Sequence, residues 1–278
     1  MKAVIMNADD FGADARVNAA VERTHADGVL TSASLMVNEP AAAEAADIAR
    51  GCPALGVGLH LALSDGLACL PHCEIARLAD ASGRFRPAAA MAGLVCFFSR
   101  SARRQVAREV EAQFERFERL GLPWSHVDGH QHLHIHPVVW DALLRQCEAH
   151  GVRRVRVPGE RDVAGAGASL ARRAEAACLR AMRRRCLRTL AGRGFSAPDR
   201  VYGHLRTGQM DRAYVARLLG RLEGATNEVY FHPGSRHARS LPRGPADMDA
   251  DLDALLSPEV RQAVEAHGLR LATYADLS

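Results

Sequence analysis

With 278 residues, 48% hydrophobic and 24% charged, the chain can bury a sizeable core and is too ordinary in composition for a fibrous or disordered protein. Its net charge of +4 is carried almost wholly by arginine; Lys2 is the only lysine, which excludes mechanisms built on a core lysine. Seven scattered cysteines without a Cys-x-x-Cys pair, and no apolar run of membrane-spanning length, argue against a disulfide framework or a spanning helix and for a cytoplasmic protein.

The first apolar run, residues 3–7, reads as a buried strand that delivers Asp9 and Asp10 at its C-terminal end, too early in acid for a signal peptide. A helix over 14–27, closed by Gly28, precedes a strand at 30–37 and an alanine-rich helix at 40–50. Gly56-Val57-Gly58-Leu59-His60-Leu61 is a third strand with His60 near its end. Residues 64–100 form an apolar excursion with turn residues Pro71, Gly83 and Pro87, suited to a lid. Within it Cys69, His72 and Cys73 could be soft metal ligands, although a plain loop explains them as well. Residues 102–120 carry Val106, Val110, Phe114 and Phe117 at helical spacing.

From 126 to 136 every even position is His or Asp, with Val127, Leu133 and Ile135 between them. At period two this predicts a strand with one polar face. Same-face neighbours on a strand lie roughly 6–7 Å apart, whereas one ion needs ligands about 2 Å away, so the run supplies only one or two ligands. A helix at 138–150 follows, then a strand at 152–157 carrying Arg156 into Pro158-Gly159-Glu160. Residues 169–193 read as an arginine-rich helical insert. Short strands at 201–205, 228–231 and 269–274 and helices at 251–257 and 258–267 complete the chain, with His232-Pro233-Gly234 after the second of these strands.

Alternation of strand and helix about eight times, without a linker, predicts an α/β fold: a single distorted (β/α) barrel covering 1–278. Asp9, Asp10, His60, the histidine run, Arg156 and His232 all fall at or near predicted strand ends, where such barrels place their active sites. One carboxylate and two imidazoles with an open position make a hydrolytic site for one divalent ion, zinc by ligand type or magnesium if waters complete the shell. Of two adjacent aspartates, one can coordinate and the other act as general base. Cleaving an amide also needs an acid for the leaving amine, and His232 is the candidate.

Asn7-Ala8-Asp9-Asp10-Phe11-Gly12, Gly58-Leu59-His60-Leu61, His126 through His134 and His232-Pro233-Gly234 resemble the motifs of the YdjC-like carbohydrate deacetylases. The resemblance implies metal-dependent removal of acetyl from an N-acetylated amino sugar, with Asp9 as base and Asp10, His60 and His130 on the metal. Asp128, His132 and His134 would then support the ligands, with Asp128 orienting an imidazole or Arg156. Arg156 and Glu160 are expected to bind sugar hydroxyls. Thr31 through Asn38 and the arginine-rich insert resemble the hopanoid-biosynthesis branch of that family, implying a lipid-linked N-acetylglucosamine. Soluble chitooligosaccharide is the alternative substrate, and a barrel phosphoesterase the alternative activity. From Arg172 to Arg193 eight arginines face one acid, Glu175, around a stripe of Leu170, Ala174, Cys178, Met182, Cys186 and Leu190. This predicts either contact with an anionic membrane surface or packing on the barrel; without aromatic interleaving it does not predict nucleic-acid binding.

Overall fold

The computed structural model describes residues 1–85, 99–234 and 249–277. Strands β1 (Ala3–Phe11), β2 (Ser32–Leu35), β3 (Gly56–Leu61), β4 (Val127–Gly129), β5 (Arg200–Tyr202), β6 (Thr226–Phe231) and β7 (Arg270–Leu271) form one sheet in the order β4-β3-β2-β1-β6-β5, with β7 beside β1. Every pairing between these strands is parallel. All nine residues of β1 are buried, as expected of a strand paired on both edges and covered on both faces.

The predicted strand at 152–157 survives only as bridges: Val155 pairs with Val127, and Arg154 with Ser196, whose segment runs into β5. These bridges carry the sheet from β4 round towards β5, giving a half-barrel whose remaining arc is thin. The sheet is wrapped by α1 (Ala15–Asp27), α2 (Ala42–Gly51), the short α3 (His72–Ile75), α4 (Arg100–Arg119), α5 (Pro137–Ala149), α6 (Leu170–Leu190), α7 (Arg212–Leu219), α8 (Ala250–Leu256) and α9 (Pro258–Ala266). The patterning explains the long helices. Asp14 caps α1 through the amides of Arg16 and Val17, and Val106, Val110, Phe114 and Phe117 of α4 are fully buried. Trp124 stacks on Phe114 and Phe117, with ring centroids 5.3 and 4.2 Å away. Each buried phenylalanine contributes about 1.5–3 kcal/mol.

The structure bears on three sequence expectations and overturns the first. The histidine run is not a strand: β4 stops at Gly129, and His130–Ile135 form a 3₁₀ turn in which Gln131 and His132 take φ of 51° and 58°. Of the apolar excursion, Ile75, Leu78 and Phe85 are buried in the main core; Met91, Leu94, Val95, Phe97 and Phe98 lie outside the described residues. The Cys69-His72-Cys73 trio forms none of the close ligand clusters found among the described residues, and His72 instead bonds the Ala79 carbonyl at 3.0 Å.

The stripe on α6 divides. Cys186 and Leu190 are buried against the barrel, Met182 is half-buried, and Leu170, Ala174 and Cys178 are exposed. Two arginines serve the fold: Arg180 donates to the Glu160 carbonyl, and Arg183 to those of Val157, Pro198 and Asp199. No described helix is long and apolar enough to cross a membrane.

Candidate active site

The site is made by a fault in β1. In a regular strand, adjacent residues point to opposite faces. Between Ala8 and Phe11 the register with β2 slips, and Asp10 takes φ 64°. Such left-handed backbone costs a residue other than glycine about 1–3 kcal/mol and is retained where the surroundings over-determine it. Here the slip turns two neighbouring buried carboxylates into one polar cluster, each towards different partners.

Asp10 meets imidazoles from two further strand ends. His60, at the end of β3, places Nε2 3.4 Å from Asp10 Oδ1, and His130, just after β4, places Nδ1 2.9 Å from the same oxygen. The two rings lie 5.6 Å apart and nearly perpendicular. Register pairs His60 with Asp128 across β3 and β4, and Asp128 Oδ1 holds His60 Nδ1 at 2.8 Å. That bond sets the tautomer and leaves Nε2 facing Asp10. Asp10, His60 and His130 thus offer ligand atoms all within 4.8 Å of one another.

A divalent cation fits this cluster. Asp10 Oδ2 is buried without a hydrogen-bond partner, which calls for a ligand or water. Three buried carboxylates, Asp9, Asp128 and Glu228, share one obligate cation, Arg156, while the buried carboxylate of Asp10 pairs only with imidazoles. Burial alone would raise Asp10, but the charge and hydrogen bond of His130, the hydrogen bond of His60 and the charge of His232 hold it well below the usual carboxylate range. Burial likewise pulls His60 down, yet Asp128 and Asp9 and the bonds to Asp10 and Asp128 push it up to about 10. Surroundings that hold a proton on an imidazole so firmly also favour a cation. Two nitrogens and one carboxylate are a zinc-like donor set.

Asp9 makes no hydrogen bond to these ligands, although its carboxylate lies in a second cluster with His60 and Asp128 whose ligand atoms are likewise all within 4.8 Å of one another. Its two oxygens accept from Arg156 Nη1 and Nη2, both at 2.8 Å, and Oδ1 also accepts from Asn7 Nδ2 at 2.9 Å. His232, just past β6, sets Nε2 3.9 Å from Asp9 Oδ2; its backbone amide donates to Asp251 at 2.8 Å and its side chain is 16% exposed.

Arg156 and Glu160, expected to meet sugar hydroxyls, are both buried among protein partners. Arg156 is shared by Asp9, Asp128 and Glu228, and Glu160 Oε2 accepts from the amides of Gly203 and Leu205. Burial pushes Glu160 up to about 7 against those amide bonds. His132 Nε2 lies 3.0 Å from the Tyr230 hydroxyl and His134 Nε2 3.0 Å from the Arg156 carbonyl, so both support neighbouring groups. Asp128 orients both partners expected of it, with Oδ2 2.6 Å from Arg156 Nη1. Glu228, Ser34 and Tyr274 also join this network, and the sequence does not single them out as site residues. A charged residue in the apolar run Val229-Tyr230-Phe231 was the signal for Glu228; Ser34 and Tyr274 carried none.

A family model described as YdjC-like protein matches residues 3–266. A carbohydrate deacetylase of Mus musculus is 32% identical over 99% of this chain and 94% of its own length. One from Brevibacillus brevis is 38% identical over 56% of this chain, and the chain spans only 59% of that relative. A solved structure from Enterococcus faecalis, named for cellobiose-phosphate cleavage, superposes with a TM-score of 0.75 at 24% identity over 99% of this chain and 98% of its own, which shows the fold.

Proposed function

Because the chain belongs to the YdjC-like family, we propose that it is a single metal-dependent deacetylase domain that hydrolyses the N-acetyl group of an amino sugar. The observation that carries this reading is the slipped end of β1, which bonds Asp10 to two imidazoles and Asp9 instead to Arg156, with His232 beside it. Asp10, His60 and His130 would hold the ion, which supplies a lowered pKa for an attacking water and polarisation of the acetyl carbonyl. Asp9 takes the proton from that water; Asn7 and the bidentate Arg156 keep its carboxylate in one orientation. As the carbon–nitrogen bond breaks, His232 gives a proton to the leaving amine, so that acetate and a free amine depart. The acid role follows from its place within reach of Asp9 at the partly exposed rim.

His232→Ala should slow hydrolysis of an N-acetyl sugar by about two orders of magnitude. An acetyl substrate with a good leaving group should restore most of that rate, and should restore far less in Asp9→Asn. Equal rescue of the two variants would remove His232 from the acid role.

For the substrate we propose a lipid-linked N-acetylglucosamine, met at the inner membrane surface by a cytoplasmic protein. The resemblance to the hopanoid branch and the exposed start of α6, with Leu170 at 87% exposure beside its arginines, support this. Soluble chitooligosaccharide is the competing reading, favoured by the burial of Ile75, Leu78 and Phe85, which leaves the described part of the excursion little apolar surface beyond the half-buried Leu67 and Leu70. The assay compares kcat/KM on chitobiose and on an N-acetylglucosaminyl hopanoid in vesicles with and without anionic lipid. Preference for the vesicle-borne substrate is expected; faster turnover of chitobiose would overturn the lipid assignment alone.

A further inference from the structure

Arg156 is too fully engaged to be explained by Asp9 alone. Its end-on pair, Nη1 and Nη2, grips Asp9, and Nη1 also meets Asp128. Its side edge is taken by Glu228 on β6: Oε1 accepts from Nε at 3.0 Å and from Nη2 at 2.6 Å. Glu228 is held in turn from outside the sheet, because the Tyr274 hydroxyl donates to Oε2 at 2.5 Å. Tyr274 sits in the last turn of the described chain, beyond residues 3–266 that match the family model.

The tyrosine is itself fixed. Its ring stacks on His126 with centroids 3.8 Å apart and planes 7° apart. His126 Nε2 lies 3.1 Å from Ser34 Oγ, which donates to Asp128 at 2.8 Å. Space for the His126 ring exists only because residue 58 is glycine; a Cβ there would lie 2.5 Å from the imidazole. All these side chains are fully buried. An arginine with free rotation at its side edge could swing towards Asp128 and leave Asp9 half-held.

We propose that Glu228 and Tyr274 are positioning residues, which lock the side edge of the Arg156 guanidinium so that its end-on pair keeps the Asp9 carboxylate aligned for reaction. The proposal rests on the reading of Asp9 as the base. It assigns the C-terminal turn a part in the active site, although Tyr274 touches neither Asp9 nor the candidate ligands.

The test uses the full metal-loaded chain with Tyr274→Phe, Glu228→Gln and Glu228→Ala. It measures kcat and KM separately, together with metal content, melting temperature and a crystal structure of each variant that folds. Loss of one hydrogen bond in Tyr274→Phe should lower kcat about tenfold. Misalignment in Glu228→Ala should lower it about a hundredfold. KM and metal content should hold in both. Glu228→Gln should stay nearer to wild type than Glu228→Ala, because its amide oxygen can still accept both Arg156 bonds. Wild-type kcat in folded Tyr274→Phe and Glu228→Ala would overturn the proposal, as would a fall in kcat matched by loss of metal. Should Glu228→Ala not fold, Tyr274→Phe and Glu228→Gln decide the matter by the same measures. If the wild-type chain deacetylates no sugar, the role of Asp9 fails, but the clamp is still read in the crystals. The 2.8 Å bidentate pair between Arg156 and Asp9 should open in Tyr274→Phe and Glu228→Ala and hold in Glu228→Gln, and its persistence in the first two would refute the clamp.

Discussion

Asp9→Asn is expected to cut kcat by about two to four orders of magnitude while the ion, the fold and substrate affinity persist. The substitution keeps the shape of the side chain and removes its basicity. It also presents an amide NH₂ to a guanidinium that can only donate, so one of the two 2.8 Å bonds from Arg156 must be lost. Arg156 keeps Asp128 and Glu228, so no buried charge is stranded and the fold should survive. Asp10 keeps both imidazoles, so metal content should not change. The nearest rival bases are weak candidates. Burial pushes His134 down to about 4, and burial with the charge of His204 holds His132 well below the usual imidazole range. Both already have a ring nitrogen against protein oxygen. A variant running at near wild-type speed, by initial rates at fixed metal content, would nevertheless move the base to one of them.

The sequence disclosed those parts of the molecule that local pattern encodes. β1, β3 and β6 are legible as short apolar runs, and α1 and α4 by the helical spacing of Val17, Val21, Val106 and Phe114. The positions of Asp9, Asp10, His60 and His130 were legible because a parallel α/β fold puts strand ends on one rim. The backbone at those ends was not. Alternating histidines look like a strand whether or not the chain stays extended, and nothing in Gly129-His130-Gln131-His132 announces two left-handed residues. The same holds for Asp10, where the slipped register, not the residue types, separates the roles of two identical carboxylates. Charge on a rim usually meets solvent or ligand, which is why Arg156 and Glu160 read from the sequence as substrate-binding. Arg156 instead answers to Asp9 and Glu228, 147 and 72 residues away in sequence, and such distant pairing leaves no local trace.

Alanine at Asp10, His60 or His130 should remove the ion and abolish hydrolysis without unfolding the chain. Losing Asp10 removes a partner of His60 and His130, but His60 keeps its 2.8 Å bond to Asp128. Losing His60 leaves Asp128 with Arg156 and Ser34. The expected cost to stability therefore falls short of the roughly 3–5 kcal/mol seen when a buried ion pair is broken outright. The metal should also report its competitor. With its pKa near 10, His60 is protonated at neutral pH in the metal-free chain, and a metal ligand must be neutral. Loading therefore releases a proton. The sign follows: as pH falls below about 10 the proton is held more completely, and apparent metal affinity should weaken by about tenfold per pH unit. Calorimetric titration of stripped protein with zinc, in buffers of differing ionisation enthalpy, counts that proton directly, and His60→Ala should lose it together with tight binding. Affinity independent of pH with no proton released would detach His60 from the ion, and full metal occupancy in the Asp10, His60 and His130 triple-alanine variant, by elemental analysis, would place the ion elsewhere.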